Sequence, residues 1–356
     1  MLTCFGESHG KCIGAVIDGC PAGLPLSEKD IQQELDKRRP GASKISTPRR
    51  EKDLAEILSG IYNGFTTGAP ICILVQNLDV DSRPYKLIKN RPRPGHADYS
   101  ARVRYGGFND FRGGGRFSAR VTIAYTIAGA IAKKILNTIN IEVLAHTTQI
   151  GPIRLSKKIA SEEIRKNVYQ NTVRCADPEI ARLMENEVLK VMNEEDSLGG
   201  IVECIALSVP AGLGDPIFDT LDADLAKMVF NIPAVKGVEV GAGFGVASLK
   251  GSENNDQFII DENRVTALTN NAGGILGGLS TGMPIVVRVA FKPTSSIAKK
   301  QKTVDLSQMK EVEMKLSGRY DPCIVPRAVP IVESCVAMVL VDHAIRLNII
   351  PKVLQE

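Results

Sequence analysis

The segments "GIYNGFTTGAPI" (residues 60–71) and "GILGGLSTGMPI" (274–285) share Gly, Ile, Gly, Thr, Gly, Pro and Ile in one register, and each runs into a β-branched stretch. Self-similarity of this kind marks a duplicated unit, so two related halves are expected, with repeats spanning 60–77 and 274–291. A second reading stays open, because any Gly-turn-Pro entry to a strand looks alike. Around the repeats, "PICILVQN", "GIVECIALSVPAG", "GVEVGAGFGVASL" and "PIVVRVAF" read as strands bounded by Gly and Pro. "PLSEKDIQQELDKRRPG" reads as a helix with Ser27 as N-cap, Asp30 at the third position, Ile31 and Leu35 on one face, and Pro40-Gly41 as stop. A second helix, "DPEIARLMENEVLKVMNEEDS", has Asp177 as cap and Pro178 at its first position. Ala119–Leu136 and Pro330–Leu347 read as helices apolar nearly all round and therefore central to the core. Strands and helices mix without strict βαβα alternation, which predicts an α+β layered fold rather than a doubly wound sheet.

Composition narrows the function. With 356 residues, 44% hydrophobic and 24% charged, the chain can bury a large core and is not of disordered composition. The longest charge-free apolar runs, Val121–Ala132 and Ser334–Val341, fall short of the roughly 20 residues of a membrane span. No basic-then-apolar leader precedes Gly6, and eight scattered cysteines lack CxxC pairing, so a cytoplasmic protein with buried thiols, no disulfides and no metal site is expected. The net charge of +4 is uneven: residues 1–120 carry 19 Lys and Arg against 13 Asp and Glu. Within Arg83–Arg120, ten cations face only Asp98 and Asp110, which points to an anionic partner.

Several motifs could carry chemistry. "GESHG" (6–10) matches G-x-S-x-G, but no helical period follows it, and adjacent Ser8 and His9 are poorly spaced for a nucleophile and its base. A glycine-fenced histidine can instead approach a ligand closely. Residues 91–122, "RPRPGHADYSARVRYGGFNDFRGGGRFSARVT", surround His96 with arginines, and Gly113–Gly115 offer backbone N–H groups before a helix start. Their aromatic residues keep an alternative open, a nucleic-acid surface over residues 83–120. "DKRRPGASKISTPRREKD" adds loop cations, "KPTSS" (292–296) offers a lysine with three hydroxyls, and "SGRYDPC" sets Arg319 two residues from Asp321. Two histidines, a carboxylate and several cationic or hydroxyl loops suit a polyanionic, phosphorylated small substrate and general acid/base catalysis.

"FGESHG", "DKRRPG", "ILSGIYNGFTTGAPI", "RPGHADY", "RGGGRFSAR", "VPAGLGDPIFDTLDADLA", "NNAGGILGGLSTG", "KPTSSI" and "DPCIVPRAVPIVE", in that order along nearly the whole chain, resemble the chorismate synthase family. The resemblance implies a single domain over residues 1–356, a sandwich of related halves with core helices between sheets, assembled as a homotetramer. It implies a lyase that eliminates phosphate from 5-enolpyruvylshikimate 3-phosphate in the anti-1,4 sense to give chorismate, using reduced FMN without net redox change. NADPH enters only if the enzyme reduces its own flavin, and no dinucleotide fingerprint of strand, GxGxxG and helix occurs. No nucleic-acid or membrane partner is implied. By position, His9 resembles the histidine that protonates departing phosphate, His96 the one placed against the flavin, and Asp321 a proton relay. Ser8, Arg38, Lys44, Arg93, Arg120 and Arg319 match substrate-binding positions. Arg116, Phe117, Ser118, Ala234, Gly278, Lys292, Pro293, Thr294, Ser295, Ser296 and, again, Arg319 match flavin-binding positions. Four departures stand out: a short lead-in before "FGESHG", expected to weaken the first strand or an intersubunit contact; Phe117 for serine; Lys44 for arginine; and Pro233 and Tyr320 for Asn and His.

Overall fold

The β-branched runs that follow the two glycine-rich segments become inner strands of two antiparallel sheets. A computed structural model describes residues 1–39, 41, 45, 51–316, 318 and 320–354. The chain begins with β1 (Leu2–Gly6), β2 (Cys12–Ile17), α1 (Glu28–Arg38), β3 (Ala55–Ile57), the hairpin β4 (Ile61–Tyr62) and β5 (Phe65–Thr66), and β6 (Ile71–Gln76). Helix α2 (Asp98–Arg104) and two 3-10 turns (Arg112–Phe117 and Ala119–Thr122) precede α3 (Ile123–Asn137). Then come β7 (Glu142–Ile150), β8 (Ile153–Arg154), α4 (Ser161–Asn167), α5 (Pro178–Asn193), β9 (Gly200–Leu207), α6 (Leu221–Phe230) and β10 (Val235–Val240). The remainder comprises α7 (Gly251–Asn254), hairpins β11 (Phe258–Asp261) with β12 (Arg264–Ala267) and β13 (Ile275–Leu276) with β14 (Leu279–Ser280), β15 (Ile285–Phe291), hairpin β16 (Gln301–Asp305) with β17 (Lys310–Met314), and α8 (Val325–Arg346).

One sheet has the order β1-β2-β6-β3 and the other β10-β15-β9-β7-β8. Buried side chains alternate along β6 and β15, as a strand with one face on the core requires. That face meets helices: α3 packs on β1 and β2, α8 on β7 and β9, and the two helices on each other. The architecture is therefore an α+β sandwich with its apolar helices between the sheets. Ile127, Ile131 and Val332 are 1% exposed or less. Each such side chain contributes about 1.5–3 kcal/mol of transfer free energy. A Cβ on Gly129 would lie 2.2 Å from Cβ of Ser334, so glycine is what lets α3 and α8 approach so closely. Helix α8 is long and apolar enough to cross a membrane by length and composition, yet it is mostly buried inside this sandwich.

The two glycine-rich segments build the same corner. Gly60, Gly64 and Gly68 have φ of 85°, 82° and 84°, and Gly274, Gly278 and Gly282 have 80°, 79° and 87°. Thr66 Oγ1 donates to Pro21 O (2.6 Å) and accepts from Leu24 N (2.9 Å). Ser280 Oγ donates to Pro210 O (2.5 Å) and accepts from Leu213 N (2.8 Å). The tetrapeptide Pro-Ala-Gly-Leu thus recurs at 21–24 and 210–213, clasped each time by a hydroxyl from the hairpin.

Several expectations shift. Residues 119–122 form a 3-10 turn rather than the first turn of α3, because Ala119 O is taken by Arg38 Nη2 (3.0 Å) and Thr122 Oγ1 (2.5 Å). Helix α8 begins at Val325, five residues before Pro330. Pro326 is tolerated in the first turn, where its missing N–H has no partner to lose. The stretch after Val240 leaves the sheet as a 3-10 turn, Gly243–Ser248, following positive φ at Gly241 and Gly243. Strand β1 is not weakened: it pairs with β2 at all five positions from Leu2↔Ile17 to Gly6↔Ile13. Cys4, Cys12 and Cys72 are only half-buried, lying on strands of the first sheet, whereas Cys20, Cys175, Cys204, Cys323 and Cys335 are buried. The helix starts hold: Ser27 N–H donates to Asp30 Oδ2 (2.9 Å), and Asp177 accepts from the N–H groups of Glu179 and Ile180.

Candidate active site

Strand β1 runs into the turn "GESHG", which buries Ser8 and His9. Asn77, just past the end of β6, donates from Nδ2 to the carbonyls of Glu7 (3.0 Å) and Gly10 (2.9 Å) and fixes this turn. His9 Nδ1 lies 2.8 Å from Ser82 Oγ, so its side-chain partner is a hydroxyl 73 residues away and not its neighbour Ser8. Tyr85 meets the imidazole edge-on at 5.0 Å.

The loop Arg112–Phe117 closes over both histidines, and its three consecutive glycines have φ of 60°, 83° and 53°. A Cβ on Gly113 would lie 2.2 Å from the His9 ring, and one on Gly114 would meet the His96 ring at 3.3 Å. No residue with a side chain fits this seam at Gly113. The expectation of freely offered backbone N–H groups is corrected: Gly114 and Gly115 are buried, and Gly114 N–H donates to Phe111 O.

His96 Nδ1 lies 2.7 Å from Asp98 Oδ1, and Arg93 binds the same carboxylate through Nε and Nη2, both at 2.8 Å. With Nδ1–H donating to Asp98, Nε2 is the ring's acceptor, and Arg93 Nη2 lies 3.1 Å from it. Burial pushes the His96 pKa below the ordinary histidine value; Asp98 opposes the shift, and Arg93 and Lys292 add to it. Burial alone would raise Asp98, but hydrogen bonds from Arg93 and His96 outweigh it and hold the carboxyl well below the usual range.

The strand equivalent to β6 in the second sheet, β15, delivers the other wall. Lys292 N–H donates to Ala234 O (2.9 Å), with Ala234 at φ 75°, a strained setting of the sort stored at functional sites. Lys292 Nζ donates to Ser295 Oγ (2.7 Å), which donates to Gly95 O (2.6 Å), tying "KPTSS" to the turn that carries His96. Ser296 Oγ accepts from Arg93 Nη1 (3.0 Å), and Thr294 Oγ1 donates to Asp321 O (2.8 Å). Asp321 Oδ2 accepts from Arg327 Nη1 at 2.5 Å. Burial, then nearby Lys236, lowers the Lys292 pKa, and the partners of Lys292 Nζ among the described residues are Ser295 Oγ and Pro293 O, with no carboxylate.

Ser8, His9, Arg38, Arg93, His96, Arg116, Phe117, Ser118, Arg120, Ala234, Lys292, Thr294, Ser295, Ser296 and Asp321 line one cleft of about 780 Å³, joined there by Pro233 and Tyr320. That volume lies in the range of small-molecule sites, roughly 300–1,000 Å³. Burial raises the Tyr320 phenol to about 12. Pro293 sits between lining residues. Gly278 is elsewhere, in the β13–β14 turn, where its carbonyl accepts from Leu221 N–H (2.9 Å). Lys44 and Arg319 lie outside the described residues.

Much of the cationic lining is already engaged. Arg38 donates to Thr122 Oγ1 (3.2 Å), Asp53 Oδ2 (3.3 Å) and Ala119 O, so much of its fork holds the turn before α3. Arg120 donates from Nε to Asn77 Oδ1 (2.5 Å) and approaches Asp53 Oδ1 at 3.1 Å. Ser118 caps the same turn, accepting from Arg120 N–H. Asp98, Ser82, Asn77, Asp53 and Arg327 escaped the sequence reading. Asp98 could have been found within "RPGHADY"; the others act across long separations that leave no local pattern.

A layered α+β fold whose loops gather two histidines, an aspartate and a ring of cations and hydroxyls into one cleft has the makings of an acid/base enzyme for a small anionic molecule. The family model described as chorismate synthase matches residues 1–345. The chain is 52% identical over all 356 residues to a chorismate synthase of Dehalococcoides mccartyi, covering 98% of that protein. It is 55% identical over 345 residues to one from Methanosarcina mazei, covering 97% of this chain and 94% of that one. A crystal structure of a chorismate synthase superposes with a TM-score of 0.78 at 31% identity, covering 98% of this chain and 92% of that one. This chain belongs to the chorismate synthase family.

Proposed function

We propose that the protein eliminates phosphate from 5-enolpyruvylshikimate 3-phosphate in the anti-1,4 sense, forming chorismate as the last step of the shikimate pathway. The observation that carries this reading is the glycine seam that brings His9 and His96 to one cleft opposite the Lys292–Ser296 loop. The substrate presents a phosphate and two carboxylates, and it takes its charge complement from Arg38, Lys44, Arg93, Arg120 and Arg319. Ser8 adds a hydroxyl beside them. His9 protonates the departing phosphate, with Ser82 fixing the ring. Asp321, oriented by Arg327, relays a proton.

The donor set fits FMN: a lysine without a carboxylate partner among the described residues, flanking hydroxyls, and a backbone turn strained at Ala234. Arg116, Phe117, Ser118, Ala234 and residues 292–296 would hold it, together with Arg319; Gly278, in the β13–β14 turn, takes no part. Reduced FMN, when bound, supplies electron density for carbon–oxygen cleavage without net redox change. His96, its pKa lowered by burial, accepts a proton at Nε2. Where the enzyme reduces its own flavin, NADPH is the reductant.

We also read the chain as one domain of two related halves, supported by the matched corners, and as a cytoplasmic homotetramer. Exposed Ile217, Phe218 and Phe244, with Phe258 and Ile260 on the β11–β12 hairpin, supply apolar surface for contacts between copies. Sedimentation at four chain masses is expected; a monomer at micromolar concentration contradicts it. We prefer this reading to a nucleic-acid surface over residues 83–120, since five of the ten cations there, Arg83, Arg91, Arg93, Arg112 and Arg120, are each paired with a carboxylate of this chain. Under anaerobic conditions with reduced FMN, the protein is expected to release phosphate and form chorismate in equal amounts; no turnover by folded protein overturns the proposal.

A further inference from the structure

A second cavity, of about 270 Å³, shares Arg327 with the cleft and is otherwise separate from it. Its walls include four cations, Lys37, Arg39, Arg174 and Arg327, together with Thr172, and no carboxylate among the described lining residues. Three of the cations have partners: Lys37 with Glu34 at 2.6 Å, Arg39 with Asp36 at 3.4 Å and Arg327 with Asp321 at 2.5 Å. Arg174 has no carboxylate within salt-bridge reach among the described residues. Its guanidinium lies over the Tyr169 ring at 4.7 Å. Burial lowers its pKa, against the pull of Tyr169 and Glu333, so this cation is desolvated without full compensation.

The position is built, not incidental. Arg174 sits at φ 59°, a backbone setting that costs a residue with a side chain. Asn171 enforces it by donating to the carbonyls of Asn167 (3.0 Å) and Cys175 (2.7 Å) and accepting from Cys175 N–H (3.2 Å). Tyr169, against which Arg174 rests, is locked by its hydroxyl to Glu333 at 3.2 Å. The Thr172 hydroxyl is buried and has no partner among the described residues, although buried polar atoms nearly always have one. A preset guanidinium fork and an unused hydroxyl in one basic cavity are the donors a compact oxyanion takes.

We propose that this cavity is a second oxyanion site, sized for inorganic phosphate, with Arg174 as its anchoring cation and Thr172 as a neutral donor. Phosphate is favoured over a single carboxylate because a dianion has more acceptor oxygens to offer the Arg174 fork, with Lys37, Arg39 and Arg327, each also holding a carboxylate, around the same cavity. The assignment rests on the cavity's own charge and holds whatever the neighbouring cleft takes.

Titration calorimetry of the full chain with inorganic phosphate at low ionic strength tests it, with acetate as the second arm. The wild type is expected to bind phosphate at this site in addition to the cleft, and Arg174→Gln to lose that component by at least about tenfold, the scale of a charged hydrogen bond. Arg174→Lys should recover part of the loss and Thr172→Val should weaken binding severalfold. An Arg174→Gln isotherm that coincides with the wild type overturns the proposal, as does acetate binding as tightly as phosphate. Should Arg174→Gln not fold, Thr172→Val decides, and phosphate binding there identical to wild type overturns the proposal.

Discussion

The corners at 60–71 and 274–285 have nearly the same backbone and the same hydroxyl clasp on Pro-Ala-Gly-Leu, but the strands that leave them end differently. Strand β6 delivers Asn77 and, further on, Ser82, which fix the His9 turn and its imidazole. Strand β15 delivers Lys292 and the hydroxyls of Ser295 and Ser296, which face the cleft from the other wall. The contrast separates labour within the chain. Corners hold the fold and are interchangeable in kind, whereas the segments after the strands have diverged to carry the chemistry.

Substitutions can break that division. The largest effect is expected at the strand exits and the turns they hold: His9→Ala and His96→Ala should each lower turnover by roughly 10- to 10⁴-fold, the range for losing an acid/base group, with the melting temperature little changed. Full activity in both folded variants, or loss of folding instead of activity, breaks the comparison. Next are the corners themselves. Gly212→Ala, whose Cβ would meet nothing within 4 Å, should cost about 1–2 kcal/mol for its left-handed backbone alone. Gly23→Ala should cost more, because its Cβ would lie 2.4 Å from Leu354 O. Denaturant unfolding that ranks them in the opposite order would show that the two corners are not braced as described.

Thr66→Ala and Ser280→Ala sharpen the comparison further. Each leaves a backbone N–H and a carbonyl without their hydroxyl partner, so each should lose about 1–3 kcal/mol, by similar amounts, with kcat of the folded protein retained. Unequal losses would mean that one clasp is ornamental. The smallest effect concerns pH. His96 should titrate by NMR below the ordinary value of about 6.5. Its neutral form belongs to the fold, so the unfolded chain takes the proton first; the stability it contributes is present above about 6.5 and is lost as pH falls through the lower folded pKa. Asp98→Asn, which removes a group that raises this pKa, should move the midpoint lower still; a rise contradicts the geometry.

Much of this was legible in the sequence, for identifiable reasons. The corners announced themselves because positive φ demands glycine at fixed spacing, and the helix caps did so because Ser27 and Asp177 precede acidic or proline-led first turns. The Pro-Ala-Gly-Leu recurrence was equally visible but is short, and only the clasping hydroxyls give it meaning. The cleft residues came as a set through the chain-long motif order, since no local pattern ties His9 to Lys292. Tertiary partners stayed hidden. Nothing near residue 119 signals that Arg38 will claim its carbonyl and turn the start of a helix into a 3-10 turn. Nothing near His9 names Ser82.

The central claim is that the two strand exits and the glycine seam form one working site. A crystal structure of the protein with oxidised FMN and 5-enolpyruvylshikimate 3-phosphate tests it most directly. The flavin is expected against residues 292–296 and His96, with the substrate phosphate at His9; electron density for either molecule away from these residues would contradict the account.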